Sequence, residues 1–160
     1  MGRIRAVALG VGLVLACASV ARADATIFIG ASSNPTNRGA RGFAVGAGFL
    51  IVAFEFEYAS VSDDLDSGAP SLKTGMGNVL LQTPVPIFGF QPYFSVGGGV
   101  FHESIGSHSE TNFAPNTGGG VKISLVGPLK LRVDYRVFRL GNGALYSPAH
   151  RIYAGLNIGF

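Results

Sequence analysis

From residue 129 the chain reads LKLRVDYRVF, in which Leu131, Val133, Tyr135 and Val137 alternate with Lys130, Arg132, Asp134 and Arg136. A period of two places these two sets on opposite faces of an extended strand, which no helix does. The same alternation recurs through residues 24–160, and no stretch there keeps a helical period. Gly, Pro, Asn, Ser and Asp cluster between the alternating runs, as all-β chains require. The composition agrees. Apolar residues make up 48% and charged residues 13%, too apolar and too weakly charged for disorder and without the heptads of a coiled coil.

Eight segments read as strands: 25–31, 42–50, 52–61, 71–81, 90–102, 117–126, 129–139 and 150–160. Pro35, Pro70, Pro84, Pro86, Pro115, Pro128 and Pro148 fall in the connections, and Pro92 falls at a strand start, where proline is tolerated. The connections after the first, third, fifth and seventh segments are long, with residues 103–116 the longest. Those after the second and sixth are very short, and the one after the fourth is intermediate. Short turns on one side and long loops on the other suit an up-and-down barrel with an even strand number.

The ends of the chain carry further information. Arg3 and Arg5 precede an apolar run over residues 6–20, and Ala21-Arg22-Ala23 follows as an A-x-A site. This is the pattern of a cleaved export signal over residues 1–23, and its apolar run falls short of the roughly 20 residues of a spanning helix. Without that segment, nine basic residues face nine acidic ones and no cysteine remains. The basic balance of the full chain therefore gives no reason to expect nucleic acid as a partner. At the other end, Ile152, Ala154, Leu156, Ile158 and Phe160 fall on one face of a last strand, opposite Arg151, Tyr153, Gly155, Asn157 and Gly159.

The facing is readable in five segments. Phe43, Val45, Ala47 and Phe49 alternate with Ala44, Gly46 and Gly48; Phe54, Phe56 and Tyr58 alternate with Glu55 and Glu57; Val121, Ile123 and Leu125 alternate with Lys122 and Ser124. The segments at 129–139 and 150–160 complete the set. Gly97 to Gly99 blur the fifth segment, for which Phe94, Val96 and Val100 are taken as outward, and the first and fourth are undecided. The lumen of an eight-strand barrel is only wide enough to be filled by side chains. Glycine and alanine mixed with paired charges fill it, whereas phenylalanines from every strand overfill it. The expectation is an all-β, eight-stranded antiparallel transmembrane barrel over residues 24–160, apolar outside and charged inside.

The signal, the FEFEY, QPYFSVGGGVF and LKLRVDYRVF strands and the terminal GLNIGF together resemble small outer-membrane β-barrels of the OmpA/OmpX type, over the whole chain after the signal. The resemblance implies residence in the cell outer membrane, contact with its lipids including lipopolysaccharide, insertion by the barrel assembly machinery and a monomeric state. It also makes Leu156, Ile158 and Phe160 similar to the C-terminal assembly signal of such barrels. The role of OmpA's periplasmic domain is not expected to carry over. With no tryptophan, an aromatic girdle falls to Tyr and Phe, for example Phe49, Tyr58, Tyr135 and Phe160.

The inward charges are the best-defined constellation. Glu55 and Glu57 share one face of one strand; Lys130, Arg132, Asp134 and Arg136 share one face of another, with Lys122 on its neighbour. In an eight-strand barrel the third and seventh strands stand on opposite walls, and an unpaired buried charge is costly, so pairing across the lumen is expected. A plug of ion pairs in a structural or surface-interacting protein is the first reading, and a narrow gated ion channel is the alternative. A lipid-modifying enzyme is the second alternative. His102-Glu103-Ser104 has the His-x-Ser spacing seen in lipid A deacylase barrels, without the asparagine-bearing sequence around that site. Asp63, Asp64 and Asp66 lack the glycine and glutamate of an EF-hand loop, and no metal or cofactor is expected. Arg38, Arg41, Arg139 and Arg151 lie near strand ends on the long-loop side, within reach of lipopolysaccharide phosphates.

Overall fold

In the computed structural model, which describes residues 22–160, eight strands form a closed antiparallel barrel. They are β1 (Arg22–Ser33), β2 (Arg38–Phe49), β3 (Val52–Val61), β4 (Ser71–Gln82), β5 (Phe90–Ile105), β6 (His108–Ser124), β7 (Leu129–Phe138) and β8 (Ala149–Gly159). Each strand pairs with its sequence neighbours, and β1 closes on β8 from Asp24↔Gly159 to Ser33↔His150. Closure leaves no free sheet edge around the wall. Most of the expected export signal, residues 1–21, lies outside the described residues; Arg22 and Ala23 open β1. Ala23 and Phe160 exchange backbone hydrogen bonds of 3.0 and 2.9 Å. Cleavage before Asp24 would remove that last pair and leave Asp24↔Gly159 as the end of the seam.

The turns at one end span residues 50–51, 83–89 and 125–128; the loops at the other span 34–37, 62–70, 106–107 and 139–148. The long loop expected at residues 103–116 is instead strand. β5 and β6 continue to a two-residue turn at Gly106 and Ser107. Their outer halves carry polar residues on both faces, so no hydrophobic alternation marks them, and the backbone ladder holds them extended. Pro115 therefore sits inside β6 rather than in a connection. Its carbonyl accepts from Arg139 N–H at 3.0 Å, on the side where the ladder to β7 ends, so its missing N–H removes no bond to β5.

The outer wall carries the bulky apolar residues. Phe43, Phe54, Phe56, Phe94, Val96, Val100, Ile152, Leu156 and Ile158 are all exposed. The strands with unreadable facing resolve simply. In β1, Ile27 and Ile29 point outward and Thr26 and Phe28 inward; in β4, Val79 and Leu81 point outward and Leu72, Thr74, Met76, Asn78 and Leu80 inward. Both inner faces mix apolar with polar groups, which hides the period. The lumen is thus not filled by small residues and charges alone: Phe28, Tyr93, Phe101, Phe138 and Tyr153 also point into it. The glycines opposite them make the room. Gly42, for instance, leaves space that the Phe28 ring occupies, since a Cβ there would stand 2.5 Å from the ring tip.

Candidate functional site: a charged layer across the lumen

Alternation alone sends Glu55 and Glu57 of β3 and Arg132, Asp134 and Arg136 of β7 to the inner face, and the barrel order sets β3 opposite β7. The side chains meet at mid-lumen. Arg132 binds Glu55 through two nitrogens, Nη1 and Nη2, the latter donating to Oε1 at 3.3 Å. Arg136 Nη2 donates to Glu55 Oε1 at 2.7 Å, and its Nη1 lies 3.2 Å from Glu57 Oε2. Asp134 lies between the two arginines, 3.1 Å from Arg132 Nη2 and 3.0 Å from Arg136 Nε. A third arginine, Arg151 of β8, donates to Glu57 Oε1 and, at 3.2 Å, to Thr74 Oγ1. The layer therefore holds three carboxylates and three guanidiniums, all buried.

Neutral groups complete the layer. The Tyr93 hydroxyl donates to Asp134 and accepts from Arg132 Nε at 2.7 Å. Tyr153 donates to Glu57 Oε2 at 3.4 Å and stacks on Phe28 with ring centroids 4.0 Å apart. Arg132 lies over the Tyr93 ring at 4.8 Å, and Arg151 over the Phe138 ring at 4.4 Å. Planar, multiply donating guanidiniums suit this arrangement: Arg132 bridges Glu55 and Asp134 while its face rests on the Tyr93 ring.

Two of the expected members stand apart. Lys122 pairs with Asp24, and Lys130 Nζ donates to Gln91 Oε1 at 3.0 Å. Both lie at the turn end, where a cavity of about 490 Å³ opens between them and reaches inward to Glu55. Neither lysine is within ion-pair distance of Glu55 or Glu57, whose ion-pair partners are all arginines. Sequence reasoning grouped Arg151 with surface arginines, although the alternation of β8 had already put it on the inner face with Tyr153. Arg38 is likewise inward: its guanidinium donates to the carbonyls of Ser62 at 3.1 Å, Asn34 at 3.2 Å and Pro70. Neither Arg38 nor Arg151 is free to meet lipid. Arg41 and Arg139 are exposed.

On the loop side of the charged layer the lumen turns apolar. Ala40, Val61, Leu72, Met76, Phe101, Ala114, Phe138, Leu140 and Ala149 form one buried cluster there. Above it Glu103 accepts from Leu145 N–H at 2.8 Å and contacts His108 Nε2 at 3.0 Å, tying the β7–β8 loop to the tip of the β5–β6 hairpin. The His-x-Ser pair does not form a dyad: His102 Nδ1 contacts Thr111 Oγ1 at 2.7 Å, across the β5–β6 ladder from it. In the β3–β4 loop, Asp64 accepts from the Ser67 hydroxyl at 2.7 Å, which holds its carboxyl below the usual carboxylate range. Among the described residues, no three His, Cys, Asp or Glu side chains gather as a metal site.

The fold is that of the small eight-stranded outer-membrane β-barrels of the OmpA/OmpX kind. The chain is similar to Neisserial surface protein A, with 13% identity and a TM-score of 0.68 over 88% of this chain and 97% of that one. It is similar also to the N-terminal barrel of Pseudomonas aeruginosa OprF, with 15% identity and a TM-score of 0.67 over 87% and 97%. The outer-membrane enzyme PagL shares the architecture at 13% identity and a TM-score of 0.53, over 84% and 98%. No protein-family model and no curated protein sequence matches the chain.

Proposed function

We propose that the protein resides in the outer membrane as a monomeric barrel with a structural or surface-interacting, non-catalytic role, its lumen plugged rather than conducting. The observation that carries this reading is the sequence of layers in the lumen. A water-accessible cavity at the turn end stops at Glu55; the balanced ion-pair layer follows, and behind it the apolar cluster around Met76, Phe101 and Phe138. An ion crossing the barrel would have to pass both a layer of paired charges and a layer with nothing to coordinate it. The hydrogen bonding of His102 to Thr111 favours a role without a His–Ser nucleophile.

Planar-bilayer recording tests the plug. Refolded protein beginning at Asp24 should give no steady single-channel current, and Arg136→Ala should not create one while the apolar layer stands. Opening that layer as well, with Phe101→Ala and Phe138→Ala, should be needed before conductance rises. Steady current from the unaltered protein would replace the plug by the gated channel. Location is tested by fractionation: the protein should sediment with the outer membrane and migrate differently on unboiled gels, and recovery in the soluble periplasm would remove the membrane reading altogether.

The same reading makes the last strand the element by which the barrel assembly machinery takes up the chain. Phe160 is outward and 78% exposed, with Leu156 and Ile158 on the same face. Deleting Phe160 should lower the yield of inserted, heat-shifted protein more than deleting Asn142 from the β7–β8 loop. Equal yields would leave Phe160 without a role in assembly.

A further inference from the structure

Arg41, Ser60, Lys73 and His102 come from four consecutive strands and are direct ladder partners: Arg41↔Ser60, Ser60↔Lys73 and Lys73↔His102. All four lie on the outer-facing phase of their strands, two residues beyond the apolar Phe43, Tyr58 and Val100 and toward the loops. Neighbouring strands are about 4.8 Å apart, so the backbones of Arg41 and Lys73 stand about 10 Å apart with the Ser60 hydroxyl between them. Both long side chains can converge on one group at that spacing. Among the described residues neither has a carboxylate within ion-pair distance, in contrast to the arginines of the lumen.

Directly below Lys73 the outer face of β4 has no side chains for two positions. Gly75 lies between Tyr58 and Val100, and Gly77 between Phe56 and Gly98. A Cβ on Gly75 would meet only Val100 Cγ2, at 3.9 Å, and one on Gly77 only the Gly98 carbonyl, at 3.8 Å. The result is a shallow channel, open outward, with Phe56 and Tyr58 as one wall and Val100 as the other. A cationic, hydroxyl-bearing row thus caps an apolar channel of the kind that a hydrocarbon chain fills.

We propose that this face binds a phosphate-bearing acylated lipid, its phosphate held by Arg41, Ser60 and Lys73 and one acyl chain lying over Gly75 and Gly77. The site rests on the membrane-barrel reading and deepens it by naming a lipid class and the residues that select it. Guanidinium and ammonium groups bind phosphate oxygens through charge-assisted hydrogen bonds, which are strongest where lipid excludes water on one side. A phosphate alone would use the row but not the channel, and an uncharged lipid the channel but not the row.

The test uses refolded protein in detergent micelles, with bis-phosphorylated lipid A and its dephosphorylated form as probes. Retention of phosphorylated lipid A should exceed that of the dephosphorylated form at least tenfold, and the double variant Arg41→Ala, Lys73→Ala should abolish the difference. Gly77→Leu, which fills the channel, should weaken the phosphorylated probe with the row intact. Lys130→Ala, which removes a cation from the turn end of the lumen, should leave retention unchanged. Equal retention of the two probes, or a double variant that binds like the unaltered protein, would overturn the site. Displacement of lipid A by millimolar inorganic phosphate would overturn the lipid assignment in favour of a free-anion site. The heat-dependent gel shift is read for every sample: its loss in a variant is answered by the milder Arg41→Gln, which should still weaken the phosphorylated probe. Its absence in the unaltered protein would count against the membrane barrel itself, and so be distinguishable from failure of the site.

Discussion

Glu55→Arg should destabilise the barrel more than loss of either arginine that Glu55 binds. Glu55 accepts from both Arg132 and Arg136, and the substitution leaves Arg132, Arg136, Arg151 and a fourth guanidinium against only Glu57 and Asp134. Removing one partner of a buried pair costs ~3–5 kcal/mol where the site is dry. A reversal adds repulsion to that loss. The midpoint of urea unfolding, read from the heat-shifted band, should therefore fall further for Glu55→Arg than for Arg132→Ala or Arg136→Ala. Combining Glu55→Arg with Arg132→Glu should recover part of the loss, because the pair is restored in reverse and the two residues are coupled. Unaltered stability in both single arginine variants would mean that these side chains meet water, and that no buried ion-pair layer crosses the lumen of the folded protein.

Gly99→Val should be comparably damaging, by a steric route. Gly99 lies on the inner phase of β5, and a Cβ there would stand 2.0 Å from the Gly75 carbonyl and 2.8 Å from Met76 Cα. Both contacts are with the backbone of β4, which cannot move without opening the ladder between the strands. Few single substitutions cost more than ~4 kcal/mol, and forcing a paired strand apart is among the mechanisms that do. Refolding yield into lipid vesicles should drop sharply. Gly39→Ala supplies the contrast, since a Cβ at Gly39 meets nothing within 4 Å and should be tolerated. Similar yields for the two would show that β4 and β5 leave room for a side chain at Gly99.

The cost of burying charge explains why every carboxylate and guanidinium of the layer has an opposite charge in contact. Charges withdrawn from water regain little unless each finds several partners. The aromatic groups extend these contacts: Tyr93 joins Arg132 to Asp134, and the Tyr153–Phe28 stack forms a wall beside it. The layer is then a stable partition only because it sits next to an apolar one. Charged groups next to open water at both ends would exchange partners with it.

Alternation along the strands was readable from residue order alone. The inner phase of β3 and β7, and hence the facing of Glu55, Glu57, Arg132, Asp134 and Arg136, follows from one rule, because a strand side chain has only two directions to choose from. The same rule contained Arg151, whose inward phase was legible from Ile152 and Leu156 beside it. The outer halves of β5 and β6 were not legible: with polar residues on both faces, backbone pairing alone keeps them extended. Nor were β1 and β4, whose inner faces carry Phe28, Leu72, Met76 and Leu80 beside polar groups. Height along the barrel was not readable in this way. Register between strands sets which inward residues share a level, and it depends on where each turn falls rather than on composition. That is why Lys122 and Lys130, correctly phased, stand at the turn-end cavity with Asp24 and Gln91, while Arg151, from the neighbouring strand, reaches Glu57. It is also why Arg41, Ser60 and Lys73, separated by up to 32 positions in the chain, stand side by side on the outer wall.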